Sequence, residues 1–431
     1  MNQKKVLPVL FWIMNSTSVM AQAPSVQWAK VYGGNDYDAS RSILEKNGGG
    51  YIVVGESASY MNQDVSGGWD STDVWICSLS SGGTLQWETS VGGNRYDRGS
   101  SVAKTSDGGF IVGGTTLSND GDVSGNNGAL DYWVVKFDVG GNIQWQKCLG
   151  GSKNEYAQSI IQTTDGGYMV AGDSYSNDGN VTGHFGCAGS SDYWAVKLNS
   201  SGTIQWDKSY GGQNYDYCSV VKQTPDGGYI FSGRTESFDG QVTGFKGEYD
   251  IWVVKTDASG NLQWQKTYGG AMWDWGQSIA LTSDGGYVLG DYVYSVDGDI
   301  TVNQGDYDYW IVKINSSGGI QWQKTVGGLV DDFANSIIQT TDGGYVISGG
   351  STSSNGDITN PLGDFDYWVA KVNSSGALLW QKSLGGSDYE ISLQVIQTSD
   401  GGYAVTGESI STDGNCVGNR GNYDFFIVKL F

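Results

Sequence analysis

Apolar residues along this chain come in short runs, broken every few positions by Gly, Asn, Asp or Ser, and nowhere with a helical period. One stretch shows the pattern. Residues 159–163 (SIIQT) have the β-branched content of a strand, and residues 168–171 (YMVA) form a second. Between them Asp165, Gly166 and Gly167 supply the left-handed positions that a tight hairpin needs. A polar loop leads to residues 192–197 (DYWAVK), a turn at 199–202 (NSSG) and a last strand at 203–206 (TIQW). Four strands, a to d, make one antiparallel sheet.

The same unit returns seven times. Its most regular mark is Gln-Trp followed by Gly-Gly, with tryptophans at Trp28, Trp87, Trp145, Trp206, Trp264, Trp322 and Trp380; Leu379 replaces the Gln in the last copy. The spacings are 59, 58, 61, 58, 58 and 58 residues, a period that marks a repeat architecture. The fold predicted is all-β, a seven-bladed β-propeller of four-stranded antiparallel blades. The chain ends fit closure. Residues 25–30 read as a d-type strand, and the chain stops at Phe431 just after a c-type strand at 424–429. The N-terminal strand is therefore predicted to complete the last blade. A linear solenoid would carry capping segments, and none is seen.

The segments at 145–151 (WQKCLGG), 164–168 (TDGGY) and 192–197 (DYWAVK) resemble the bacterial secreted β-propeller repeat proteins common in the Bacteroidetes, with a repeat near 58 residues. The resemblance covers essentially all of the chain after its leader. It implies an exported or cell-surface propeller, usually without a defined activity. Many such relatives carry an added C-terminal sorting domain for type IX secretion. None follows Phe431, so attachment by that route is not expected.

Composition narrows the class. The net charge of -22 is spread through the repeats, which disfavours nucleic acid and anionic membrane surfaces. Residues 1–21 read as a secretory signal: Lys4 and Lys5, an apolar run at 6–14, and small residues around Ala21, with cleavage before Gln22 or after Ala23. Residues 22–431 then form a single domain, expected to be a monomer that is secreted, periplasmic or on the cell surface, with no membrane insertion. The five cysteines, Cys77, Cys148, Cys187, Cys218 and Cys416, fall at different repeat positions and select no disulfide and no zinc pattern.

Candidate sites emerge once the repeat is subtracted. Seven of the tryptophans belong to strand d, six (Trp75, Trp133, Trp194, Trp252, Trp310, Trp368) to strand c, where Phe426 takes the seventh place, and Trp12 to the leader. Both strand sets are expected to fill the space between blades. Trp69, Trp273 and Trp275 stand outside the template. Strand direction puts the short a–b and c–d turns on one face and the variable b–c and d–a loops on the other, where binding residues are expected. Trp69, Trp273, Asp274 and Trp275 are the candidate ligand-binding residues, the Trp-Asp-Trp run being suited to stack on a sugar ring or grip a protein side chain. Trp69 lies nearly across the ring from blade 5.

A carboxylate follows each Gly-Gly by four residues: Asp38, Asp97, Glu155, Asp216, Asp274, Asp332 and Glu390. These could ring the channel mouth and hold a cation such as calcium. The favoured reading is simpler, that each accepts hydrogen bonds from turn N–H groups. The aspartates opening strand c, from Asp73 to Asp424, read the same way, and the Asp-Gly-Asp loops lack the other ligand spacing of an EF-type site. No metal or other cofactor is expected, calcium being the lesser reading. His184, the sole histidine, sits near Cys187 without further ligands.

The function expected is a non-enzymatic binding propeller, with a glycan or an extracytoplasmic protein as partner. The alternative is a carboxylate-based glycosidase or lyase on the same scaffold, which needs no histidine.

Overall fold

The computed structural model describes residues 21–69, 71–186 and 189–431. The proposed leader and its apolar run therefore lie outside the described residues, as does Cys187. Twenty-eight strands form seven four-stranded antiparallel sheets, each taken from consecutive strands except the last. Blades 1 to 6 span residues 38–91, 97–149, 155–210, 216–268, 274–326 and 332–384. In blade 7 the strands Glu390–Gln397, Tyr403–Ser409 and Asp424–Leu430 are joined by the opening strand Val26–Tyr32. Register runs from Val26 opposite Leu430 to Tyr32 opposite Phe425, and Ser25 and Phe431 exchange backbone hydrogen bonds of 3.0 and 2.9 Å beyond it.

The blades pack through repeated aromatic contacts. The six strand-c tryptophans are buried. Trp194, Trp252 and Trp368 each meet a strand-c tyrosine of the preceding blade at 4.6–4.7 Å between ring centroids. Those tyrosines, Tyr132, Tyr193 and Tyr309, donate their hydroxyls to the tryptophan backbone carbonyls at 3.0, 2.9 and 3.0 Å. A buried phenol thus gains area and satisfies its polar end at one contact. The strand-d tryptophans are less covered. Each lies 5.7–6.4 Å from the aromatic residue opening strand b of the next blade, from Trp28 on Tyr51 round to Trp380 on Tyr403. Both sets join neighbouring blades as expected.

The repeated carboxylates are buried in the blade junctions. Asp38, Asp97, Glu155, Asp216, Asp274, Asp332 and Glu390 are all fully buried, so they do not ring the channel mouth. Each accepts the N–H of the second glycine of its own Gly-Gly pair, as Asp38 does from Gly34 at 2.6 Å and Glu155 from Gly151 at 2.8 Å. The strand-c aspartates accept an N–H from the b–c loop, Asp250 from Lys246 at 2.8 Å and Asp424 from Arg420 at 2.8 Å. The two carboxylates flank the first glycine from either side: a Cβ at Gly33 would come within 2.2 Å of Asp424 and 2.8 Å of Asp38. Only glycine fits there.

Burial first, opposed by the loop N–H and reinforced by a neighbouring carboxylate, raises Asp131, Asp250 and Asp424 to about 7 and Asp308 and Asp366 to about 6. The a–b hairpins behave oppositely. The Thr105 hydroxyl, against some burial and with the Lys136 ammonium, holds Asp107 down at about 2, and Thr282 and Lys313 do the same for Asp284.

Two outcomes follow from this architecture. A chain lacking residues 21–32 leaves the wholly buried strand Asp424–Leu430 as an open apolar edge. It should self-associate or lose its cooperative thermal transition, as read by size-exclusion chromatography and a melt; a monomer with the parent melting temperature would contradict ring closure by that strand. For pH, the raised carboxylates favour the folded state below the unfolded value of 3.8, and that contribution is lost as pH rises through 6 to 7. The depressed hairpin aspartates contribute above 3.8 and lose it as pH falls toward 2. Melting temperature should therefore peak near about pH 4 and fall as pH rises toward 7, less steeply in Asp250→Asn. A melting temperature flat or rising from pH 5 to 8 would contradict this.

Candidate functional site

Every innermost strand carries a β-bulge, and the bulge places its fourth or fifth residue on the central bore. Gln158, Ser219, Gln277, Asn335 and Leu393 line it from blades 3 to 7. In six blades the bulge is accommodated by a strand-b glycine; a Cβ at Gly172 would sit 1.9 Å from the Tyr156 carbonyl oxygen. Blade 5 has Asp291 at that place. There the bulge lies between Trp275 and Ser278, and Asp291 accepts the N–H of Gln277 at 2.7 Å and of Ser278 at 3.2 Å.

Two neighbouring columns vary in chemistry from blade to blade. The second residue of strand a is Ala39, Arg98, Tyr156, Tyr217, Trp275, Phe333 and Ile391. Its cross-strand partner on strand b is Glu56, Thr115, Asp173, Arg234, Tyr292, Gly350 and Glu408. These pairs lie at the variable-face end of the bore, joined there by residues just outside the strands. Together they form an aromatic collar. Successive centroids run Tyr156–Tyr175 6.2 Å, Tyr175–Tyr215 6.3 Å and Tyr215–Tyr217 5.9 Å. The Arg234 guanidinium then lies between Tyr217 at 4.1 Å and Trp275 at 4.0 Å. Beyond it Trp275 stacks on Tyr292 at 5.8 Å, Tyr292 meets Phe333 edge-on at 5.2 Å, and Phe333, Phe365, Tyr389, Tyr423 and Tyr37 continue at 4.7–5.9 Å.

A cavity of about 450 Å³ opens inside this collar toward blades 3 to 5, lined by Tyr156, Tyr175, Tyr217, Arg234, Asp173 and the bore amides. Asp173 is its one carboxylate. Burial raises it to about 7, against the opposing pull of Arg234 and Arg98. Cys218 is also at the wall, and burial pushes its thiol up, away from nucleophilic use. The opposite side of the mouth is closed by internal bonds: Arg41 pairs with Glu56 at 2.6 Å and donates to Tyr37 at 3.0 Å, and Tyr96 donates to Glu56 at 2.8 Å.

The four candidate residues separate. Trp273 and Trp275 point one way and Asp274 the other, because alternate residues of a strand face opposite sides. Asp274 is therefore turned into the blade junction, bonded to Gly270 at 2.7 Å and Ser295 at 2.8 Å, and cannot meet a ligand alongside the tryptophans. Trp275 belongs to the collar. Trp273 stands at the rim, 40% exposed, with its Nε1 donating to Glu248 at 2.7 Å. Trp69 is 39% exposed and lies against Gly121 in the b–c loop of the next blade, in no contact with the collar. His184 has Nδ1 2.9 Å from Asp192 in its own blade, so it ties down a loop. Among the described residues no three His, Cys, Asp or Glu side chains converge as a metal site, and no cysteine pairs.

The collar was not among the candidates. Its signal was present in the two variable columns, where tyrosine, tryptophan, arginine and aspartate alternate within otherwise repetitive strands.

No protein-family model matches the chain. The regulatory protein FlaEY of Caulobacter vibrioides is 23% identical over 370 residues, which are 78% of this chain and 38% of that protein. The chain thus spans well under half the length of that relative. Among solved structures, the WD40 β-propeller domain of Doa1 covers 94% of this chain and 96% of its own at 13% identity, with a TM-score of 0.52. The Neurospora crassa Pan2 WD40 domain covers 95% and 96% at 10% identity, with a TM-score of 0.50. At such identities the likeness is one of fold, and it agrees with the strand pairing: the chain is a seven-bladed β-propeller with WD40 propellers as structural neighbours.

Proposed function

We propose that this propeller is an exported, non-enzymatic binding protein that holds a glycan at the collar of its variable face. The observation that carries the reading is the collar itself: half-exposed rings of Tyr175, Tyr217, Trp275 and Tyr292 around a bore of amides from Gln158, Gln277 and Asn335. Flat rings present an apolar surface to the C–H face of a sugar, and the amides offer both donors and acceptors to its hydroxyls. The glycosidase alternative has less support, because hydrolysis by paired carboxylates needs a second acid about 5–10 Å from the first. Asp173 has no such companion in the lining of the cavity.

The test is calorimetric binding of residues 22–431 to a panel of neutral and acidic polysaccharide fragments. Saturable binding is expected, weakened about tenfold or more in Trp275→Ala, equivalent to roughly 1.4 kcal/mol. Trp69→Ala should bind as the parent does. Binding of no fragment would overturn the glycan reading in favour of a protein partner, and release of new reducing ends would replace it with the enzyme.

A further inference from the structure

Resting on the glycan reading, we propose that Arg234 is a carboxylate-recognition residue and that the ligand is an acidic sugar, such as a uronic acid within a glycan. Arg234 stands without a direct partner. Among the described residues it makes no ion pair within 4.0 Å, and its Nε is buried without a hydrogen-bond partner. Two other arginines at the variable face are ion-paired, Arg41 with Glu56 at 2.6 Å and Arg420 with Asp64 at 2.5 Å; Arg98, whose Nε is also buried without a partner, donates to Gln158 at 3.3 Å. A guanidinium is strongly solvated, and Asp173 and Glu236 act on this one without ion-pair contact, so an anion bonded directly to it would recover solvation lost in the cavity wall.

Its position is built for that arrival. Tyr217 and Trp275 clamp the guanidinium from both faces at 4.1 and 4.0 Å, which fixes its plane and leaves only its edge for hydrogen bonding. A planar fork held in place suits the two oxygens of a carboxylate, with little side-chain entropy left to lose. The nearest acid, Asp173, does not replace that ligand. It is buried and bonds no guanidinium nitrogen, and burial keeps its carboxyl partly protonated at neutral pH. Arg98 reaches the same wall through Gln158, so two guanidinium groups stand at this part of the mouth in a chain of net charge -22.

The acid is assigned to a sugar because of what surrounds it. Tyr217 and Trp275 extend the clamp into ring surfaces beside the bore amides. Each inner strand at the cavity pairs on one side only, leaving an edge toward the bore, so an acidic peptide is the competing occupant that the poly-Glu probe separates from a sugar.

The experiment compares oligogalacturonate and oligoguluronate with their carboxyl-reduced, neutral counterparts, and with a poly-Glu peptide, on residues 22–431. The expected result is at least tenfold tighter binding of one uronate than of its reduced form, falling with salt. Arg234→Gln should erase that preference, read as the ratio of acidic to reduced affinity within the same variant, and Arg234→Lys should restore only part of it. A melt of each variant checks that the fold persists. Equal binding of acidic and reduced forms, or a preference untouched in Arg234→Gln, would overturn the carboxylate assignment and leave glycan binding standing. Binding of poly-Glu alone, or of no probe, would overturn both.

Discussion

Ring closure is the constraint on which everything else in this protein depends. Each blade buries its two faces only against its neighbours, so an open array of seven would leave two apolar faces in water. The pairing of Val26–Tyr32 with Asp424–Leu430 removes both at once. The last strand is buried along all seven residues, a burial pattern suited to a strand with a partner on each side. Closure also fixes the diameter of the bore. The seven innermost strands cannot spread or slide without breaking aromatic contacts repeated at every junction. A collar made of one or two residues per blade can therefore keep its spacing with no dedicated support.

The same repetition explains where variation is allowed. Columns facing a neighbouring blade are held by contacts such as Tyr193 on Trp252, and the Gly-Gly junction admits nothing larger than hydrogen between its two carboxylates. Columns facing the bore touch no such partner. The strand-a and strand-b positions at the mouth are free to differ, and they do, from Glu56 through Arg234 to Gly350. The bulge at Asp291 shows the limit of that freedom. With aspartate in place of glycine, two backbone N–H groups of strand a satisfy the carboxylate.

Architecture was legible in the sequence because it is written seven times. The tryptophan spacing gave the blade count, and the mismatch of strand types at the chain ends gave the closure. The turn role of Asp38 and its equivalents was legible too, since an acid four residues after Gly-Gly has a local N–H to accept. The site was harder. Trp273 and Trp275 were conspicuous by type, and their assignment to the variable face agrees with the structure, but Asp274 between them was included by adjacency alone. The pleat sends it to the opposite side. The tyrosines of the collar were obscured by a total of 26, most of which serve other contacts. The sandwich of Arg234 joins residues 217, 234 and 275 from two blades, a convergence that depends on bulge geometry and on the packing of blade 4 against blade 5.

Charge ties the exterior to the mouth. A surface at -22 repels an anionic polymer at long range, yet that field is screened beyond roughly 8 Å at physiological ionic strength. Inside the collar the relevant interactions are shorter than that, and the Arg234 guanidinium lies 4.1 and 4.0 Å from the Tyr217 and Trp275 ring centres. Local attraction is then less screened than global repulsion. The combination favours ligands that carry few charges in register with the mouth over densely charged polymers such as nucleic acids, which meet the exterior field along their whole length. An acidic exterior and a recess that presents a guanidinium would in this way be complementary parts of one selectivity: the first discourages indiscriminate polyanion binding, and the second suits the proposed single carboxylate brought to the collar by its sugar ring.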